Sequence, residues 1–212
     1  MEFAHDQFDY LEAEEYARLY TRYTPLAAAV RDLMHASLRA ELDAETMQAA
    51  TTAIGEVTGL LLGAQRSRSP VQLRHSETGR AVVWHNPVTG PRNPLAPPLM
   101  IHHEPDGSCW SEFTLRDVYE GPPGWVHGGV CAMVLDQVLG EVATKGMTRP
   151  RFTGSITVRY LRPTPLGRLR AEASIYREED RKSYVRGFIA DDQGPTAQAE
   201  GVFITPAWAL VS

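Results

Sequence analysis

Two spacings of apolar residues divide this chain into a helical first part and a strand-rich second part. Between Tyr10 and Gln65, apolar residues recur at helical spacing, as at Tyr16, Leu19 and Tyr23. A segment rich in proline and glycine follows, and from about residue 98 apolar and polar residues alternate. Alternation of this kind is typical of strands with one covered face. The pattern therefore predicts helices followed by an antiparallel sheet.

The strand-rich part contains one long apolar segment that predicts a helix. It begins at Gly128, and Asp136 is its only charged residue as far as Gly140. A helix that is apolar nearly all round is expected where a sheet wraps it. Strands are predicted at 99–104, 108–116, 153–160, 169–175, 185–189 and 197–203. We expect a hairpin, the helix and then a four-strand meander, which together form an α+β layer.

The helical part is predicted to contain a second helix that Asp43 caps. In that helix Gly55, Gly59 and Gly63 recur every four residues and leave one face nearly bare. A bare face lets another helix approach closely. Because Glu56 interrupts the apolar residues, we expect a pair of helices in water and not in a membrane.

Length, charge and cysteine content exclude several classes. The 212 residues suffice for one domain with an added arm, and we place the arm and linker at 1–97 and the domain at 98–212. A net charge of -5 without a basic block argues against nucleic-acid binding. Met1–Asp6 shows no leader pattern, and no segment approaches the roughly 20 apolar residues of a membrane span. We expect a cytoplasmic protein, and neither cysteine nor histidine spacing predicts a metal site.

The most informative feature is His127-Gly128-Gly129 followed by Asp136. An ionised carboxylate on an apolar helix is costly to bury, so it must be paired or used. The glycine N–H groups at the helix start can donate to a ligand oxygen, and the helix dipole favours negative charge there. Gly129 and Asp136 lie on nearly the same face, about 10 Å apart along the axis, so a second chain could supply half of a site. A capped helix in which Asp136 merely bonds a packed neighbour remains the alternative.

The stretch from Tyr119 to Gly129, together with Asp136, resembles the hotdog-fold acyl-CoA thioesterases. The similar types are the PaaI-like enzymes and the thioesterase-superfamily proteins, within the 4-hydroxybenzoyl-CoA thioesterase-like superfamily. The resemblance continues through Tyr160–Pro163 and Asp180–Lys182 and covers about residues 98–205. It implies a hotdog fold in which an antiparallel sheet wraps a central helix at about 128–145. It also implies hydrolysis of an acyl-CoA to a free acid and coenzyme A, with no cofactor.

The resemblance also implies roles for individual residues. The backbone N–H of Gly128 would bind the thioester carbonyl oxygen, helped by His127, with Gly129 beside it in the substrate site. Asp136 would be the nucleophile or the general base. Thr153 would hydrogen-bond that acid or its water, although an ordinary strand threonine is an equally simple explanation. Sites of this family lie between two subunits, so a homodimer, or a dimer of dimers, is implied.

Coenzyme A carries phosphates, so its site needs cations near the mouth. The candidates are Arg159, Arg162, Arg181 and Lys182.

Two further residues are alternatives to the family pattern. Cys131 could be a nucleophile near the helix start, although a small packed residue is the more ordinary role for it. Glu141 points away from Asp136 and is expected to be a surface or dimer-contact charge.

One departure from the family pattern and two alternative classes bear on the function. Several relatives carry a polar side chain six residues before the histidine, where this chain has Gly121, so that contact is missing. A hotdog protein can also hydrate or dehydrate acyl thioesters, but His127 stands in the glycine turn of the thioesterase pattern and disfavours this. A non-catalytic protein that binds acyl-CoA or an acyl carrier is a third class.

Overall fold

The computed structural model describes residues 8–65, 72–97 and 99–210. Met1–Asp6, for which the sequence predicts no leader, and Pro98 lie outside the described residues. The helices and strands in chain order are β1 (Phe8–Leu11), α1 (Ala13–Arg39), α2 (Ala44–Leu62), β2 (Gln72–His75), β3 (His102–His103), β4 (Cys109–Leu115), α3 (Gly128–Ala143), β5 (Phe152–Tyr160), β6 (Gly167–Glu179), β7 (Lys182–Asp191) and β8 (Gly194–Ile204). Short 3-10 helices occupy Asp117–Tyr119 and Ala207–Leu210.

A six-stranded antiparallel sheet packs around α3. Its strand order is β3-β4-β6-β7-β8-β5. The side chains of α3 that face the sheet are fully buried: Val134, Leu135, Val138 and Leu139. Burial of each such side chain contributes roughly 1.5–3 kcal/mol. The α+β hotdog fold with a central helix is confirmed, and the helix ends at Ala143, two residues before the expected boundary.

The predicted four-strand meander is wrong in one respect. β6, β7 and β8 are consecutive neighbours, but β5 pairs with β8 and β4 takes the place beside β6. An alternating pattern shows which face of a strand is buried and carries no information about its partner, so the order could not be derived from it. As a result β5 is an edge strand, with one side unpaired among the described residues.

The arm differs from a purely helical segment. Residues 8–11 form a strand that runs parallel to β2. α1 continues through Pro25 and ends at Arg39, and α2 begins after Asp43, whose carboxylate accepts a hydrogen bond of 2.8 Å from the N–H of Thr46. The predicted cap is therefore confirmed.

The bare face of α2 has no helix against it within the described residues. A side-chain carbon added at Gly55 or Gly59 would meet no atom within 4 Å, and no residue of α2 is buried. The prediction of a close helix pair is therefore wrong for the described part of a single chain. No helix among the described residues is both long and apolar enough to cross a membrane.

The segment before the hotdog sheet packs against α3. Val88 belongs to the central core, and Trp84 and Ala96 are also buried. The amide of Asn86 donates a hydrogen bond of 2.9 Å to Gln137 on α3. The division at 97/98 stays a prediction, although residues before it contribute to the same core as residues after it.

Candidate active site at the central helix

The loop before α3 is held in place by backbone hydrogen bonds. The N–H of His127 donates to Tyr119, at 2.9 Å, and the N–H of Val126 donates to Thr164, at 2.8 Å. A side-chain carbon at Gly121 would lie only 2.9 Å from Cα of His127. The close approach leaves no space for a side chain at position 121 without a shift of the loop.

The three residues at the helix start have different roles. Nδ1 of His127 accepts a hydrogen bond of 3.0 Å from the N–H of Gly129 and so caps the helix. An accepting Nδ1 requires the ring proton on Nε2. The N–H of Gly128 has no partner among the described residues, whereas its carbonyl accepts a bond of 2.8 Å from the hydroxyl of Tyr160. Gly128 therefore presents a donor, and Gly129 does not.

Gly128 also allows a close approach of the sheet to the helix. A side-chain carbon at this position would lie 3.3 Å from the ring and the hydroxyl of Tyr160. Burial raises the pKa of the Tyr160 hydroxyl, so it stays protonated and can donate at neutral pH. Tyr160 was identified only as part of the resemblance, and its bond to the helix start comes from the fold.

Asp136 is half-buried, and its one recorded contact among the described residues is polar and uncharged. Its Oδ1 accepts a hydrogen bond of 2.9 Å from the hydroxyl of Thr153. None of the described Lys, Arg or His side chains forms an ion pair with it. The structure therefore brings Asp136 and Thr153 together and leaves the second carboxylate oxygen without a recorded partner.

A β-bulge in β5 turns Thr153 toward the helix. Ile156 and Val158 face the core, so in a regular strand Thr153 would lie on the opposite face. The pairing with β8 shifts register between Thr153 and Ser155, which places an extra residue, Gly154, in β5. A glycine inside a strand is the feature of the sequence that could have indicated the bulge.

Asp136 and Gly128 lie about two turns apart on α3. Each of them contacts a residue near a different end of β5. Thr153, which bonds Asp136, pairs with Phe203, and Phe203 also pairs with Ser183 at the start of β7. Tyr160, which bonds Gly128, pairs with a residue of β8 whose partner lies near the end of β7. We call the end of β5 at Thr153, together with Asp136, the acid end, and the end at Tyr160, together with Gly128, the donor end. The structure does not bring the acid and the donor together within one chain.

The four predicted phosphate ligands do not form one cluster. Arg181 and Lys182 lie at the acid end, where Arg181 donates to the carbonyl of Thr205 at 3.1 and 3.2 Å. Arg162 lies at the donor end and binds the carboxylate of Asp191 through two hydrogen bonds, one of 2.8 Å. Arg159 lies on the outer face of the sheet, in a groove of about 960 Å³.

The pairing of Arg162 with Asp191 is strong enough to dominate the titration of that acid. Hydrogen bonding to the guanidinium lowers the pKa of Asp191 to about 2. Arg162 also donates to the carbonyl of Gly194 at 2.7 Å. The N–H donors of Arg162 are therefore largely used inside the chain, and its bonds hold the segment after β5 against the β7–β8 turn.

Two alternatives from the sequence are corrected by burial. Cys131 is 1% exposed, its Sγ lies 3.6 Å from the hydroxyl of Thr164, and burial raises its thiol pKa. It is a packed residue and not an activated nucleophile. Glu141, expected at the surface, is 2% exposed and pairs with Arg80 at 3.1 Å and His103 at 3.4 Å. Both partners are distant in sequence, so spacing on the helix could not reveal them.

No three His, Cys, Asp or Glu side chains in the described part of the chain lie close enough together to hold a metal ion. The concentrated chemistry of the site is therefore that of α3 and β5: a free N–H donor, an imidazole, and a carboxylate held by a hydroxyl. The N–H donor could stabilise an anionic oxygen that develops in a reaction, and the carboxylate could accept a proton or an acyl group.

Comparisons with known proteins agree with this fold. A family model described as "Thioesterase superfamily" matches residues 123–198. The crystal structure of the thioesterase superfamily protein RHA08564 is 32% identical, with a TM-score of 0.77, and the match covers 86% of this chain and 90% of that protein. No curated protein matches the sequence.

Two smaller proteins match about half of the chain. A phenylacetic acid degradation-related protein from Ralstonia eutropha is 25% identical, with a TM-score of 0.47, over 50% of this chain and 83% of its own length. Protein BH2602 from Bacillus halodurans, determined with CoA, is 26% identical, with a TM-score of 0.46, over 50% of this chain and 73% of its own.

Proposed function

The chain belongs to the thioesterase superfamily, and from this membership we propose that it hydrolyses acyl-CoA thioesters to a carboxylic acid and coenzyme A. The observation that carries the proposal is the environment of Asp136. The side chain is a half-buried carboxylate that accepts one hydrogen bond, from Thr153, and pairs with no described cation. Its free oxygen is available to a substrate or a water.

The proposed site uses the donor end for the developing charge. The carbonyl oxygen of the thioester binds the free N–H of Gly128, where the helix dipole favours the negative charge of the tetrahedral intermediate. His127, with its proton on Nε2, is the second donor. Tyr160 donates to the carbonyl of Gly128 and so holds the first turn of the helix at the donor end.

Asp136 supplies the nucleophile or the base. As a nucleophile, its oxygen bonds to the acyl carbon, the C–S bond breaks, and the coenzyme A thiolate leaves; water then hydrolyses the anhydride and restores the carboxylate. As a general base, it accepts a proton from the water that attacks the same carbon; the C–S bond then breaks, and the proton passes to the departing coenzyme A thiolate. In both routes Thr153 orients the carboxylate through the bond to Oδ1.

The site is proposed to form between two copies of the chain. Gly128 and Asp136 are separated by about 12 Å along α3, too far to act on one carbonyl carbon. β5 has a free edge, and Phe152 and Tyr160 at its two ends are 60% and 52% exposed. Antiparallel pairing of two β5 edges about a two-fold axis places the acid end of one copy beside the donor end of the other.

The cations of the acid end suit the phosphates of coenzyme A. Arg181 and Lys182 follow the β6–β7 turn, where Asp180 adopts a φ of 46° and reverses the chain. We assign the phosphates to this pair. Arg159 stays a weaker candidate on the outer face, and Arg162 is held by Asp191.

The test is thiol release from a panel of acyl-CoA esters by the wild type, Asp136→Ala and the control Asp192→Ala, an exposed acid. We expect turnover by the wild type and the control, and a loss of about 10²–10⁴-fold in kcat for Asp136→Ala. No thiol release from any ester by the wild type, or full turnover by Asp136→Ala, would contradict the proposal. Hydration of an enoyl-CoA without thiol release, or tight binding without hydrolysis, would favour the two other classes.

A further inference from the structure

A second groove lies beside α1. It has a volume of about 450 Å³ and lies between α1, the segment 75–101 and the end of α3. On α1 it is lined by Tyr16, Tyr20, Thr24 and Arg31, which share one stripe of the helix. Tyr16 and Arg31 are about 22 Å apart along the axis, so the groove suits an elongated ligand. Among the described residues that line it are none of the proposed catalytic ones.

The walls of the groove are mostly apolar and aromatic. Tyr16 stacks on Trp84, with ring centroids 5.0 Å apart, and Leu99, Ile101 and Met147 line the opposite side. Concave sites of 300–1,000 Å³ with apolar walls and few polar groups are typical of small-molecule sites. The volume and the lining are both within this description.

The charges around the groove favour an anion. The described ionised groups in its wall are Arg31, Arg80 and Glu141. Arg80 and Glu141 neutralise each other through their ion pair of 3.1 Å. Arg31 donates to the backbone carbonyls of Ala96, at 3.1 Å, and Asn93, at 3.5 Å, lies beside the hydroxyl of Tyr119, and forms no ion pair with any described carboxylate. One half-buried guanidinium is therefore left without a counter-ion.

We propose that this groove is a second binding site, separate from the catalytic one, for an apolar monocarboxylate such as a medium-chain fatty acid. The aliphatic part lies along the aromatic stripe of α1, and the carboxylate pairs with the guanidinium of Arg31. The carboxylate distinguishes a free acid from the acyl group of a thioester, which has none. The site does not depend on the proposed hydrolysis.

The test is isothermal titration of the full chain with sodium octanoate and with 1-octanol. We expect octanoate to bind the wild type and Asp136→Ala alike, and to bind at least about tenfold more tightly than octanol, because a hydrogen bond to a charged group is worth about 1.5–3 kcal/mol. Equal affinity for the alcohol, absence of octanoate binding, or its loss in Asp136→Ala would overturn the proposal.

Two variants with matched controls locate the ligand. Arg31→Met should weaken octanoate binding about tenfold, whereas Arg22→Met, on the exposed side of the same helix, should not change it. Thr24→Phe fills the groove without removing any core contact and should abolish binding, whereas Thr21→Phe should leave it intact. Wild-type affinity in Thr24→Phe would overturn the assignment even if Arg31→Met failed to fold.

Discussion

At the scale of residues, the pair of Asp136 and Thr153 determines what the central helix can do. The hydroxyl donates to Oδ1 and so fixes the orientation of the carboxylate. Since both side chains are accessible from the β5 edge, the bond is not required to close the core. It therefore belongs to the chemistry that we assign to the site more than to stability.

Replacement of Thr153 tests this assignment. Thr153→Val keeps the shape and removes the donor, so we expect kcat for thiol release to fall about 10–100-fold, corresponding to the loss of a hydrogen bond to a charged group. Thr153→Ser should retain most of the activity. The control is Thr157→Val, on the outer face of the same strand. Equal activity of the valine and serine variants would show that the hydroxyl has no part in turnover.

The residues of the site could be predicted to different degrees. Asp136 and Gly128 could be identified because an acid on an apolar helix and the glycine turn are visible in the sequence, whereas Thr153 and the roles of all three came from the resemblance. The burial of Glu141 could not be predicted, because its partners Arg80 and His103 reach it only in the folded chain.

At the scale of elements, the bulge in β5 connects the sheet to the site. Period-two alternation placed Thr153 on the face away from the core, and the extra residue Gly154 reverses that. Strand positions and the central helix could be predicted because each has its own apolar period. Strand order and the bulge could not, because both depend on which strand lies alongside.

Deletion of Gly154 should make the pairing of β5 with β8 regular and leave Thr153 directly before Ser155, on the face that Ile156 occupies, so that it still faces the helix. We therefore expect the deletion variant to keep most of its kcat for thiol release, and Thr153→Val to lower kcat in this variant about as much as in the wild type. A deletion variant whose activity no longer depends on Thr153 would contradict this orientation of the residue. Near-ultraviolet circular dichroism checks that the deletion variant retains a packed core.

The bond between Arg162 and Asp191 predicts a pH dependence of stability. The folded-state pKa of about 2 lies below the unfolded value of about 3.9, so this carboxylate stabilises the fold fully above about pH 4 and loses its effect as the pH falls toward about 2. Asp191→Asn should therefore melt below the wild type at pH 7, and the difference should shrink between pH 4 and 2. Asp192→Asn, at the exposed neighbouring position, is the control. A difference in melting temperature that is constant down to pH 2 would contradict this.

At the scale of the whole molecule, one chain presents two halves of a site about two turns apart on α3. Gly128 with Tyr160 forms the donor end, and Asp136 with Thr153 forms the acid end. The free edge of β5 joins both ends and is the surface through which a second copy can complete them. The two-turn spacing on the helix already indicated this in the sequence.

Complementation between two inactive variants tests the shared site most directly. Asp136→Ala removes the acid, and Gly128→Val moves the donor by crowding Tyr160. The two variants are co-expressed with different tags, and thiol release is measured on dimers that carry both. If each site takes Gly128 from one copy and Asp136 from the other, the mixed dimer has one intact site and about half of the wild-type activity. No activity above that of the separate variants in folded mixed dimers would contradict the account.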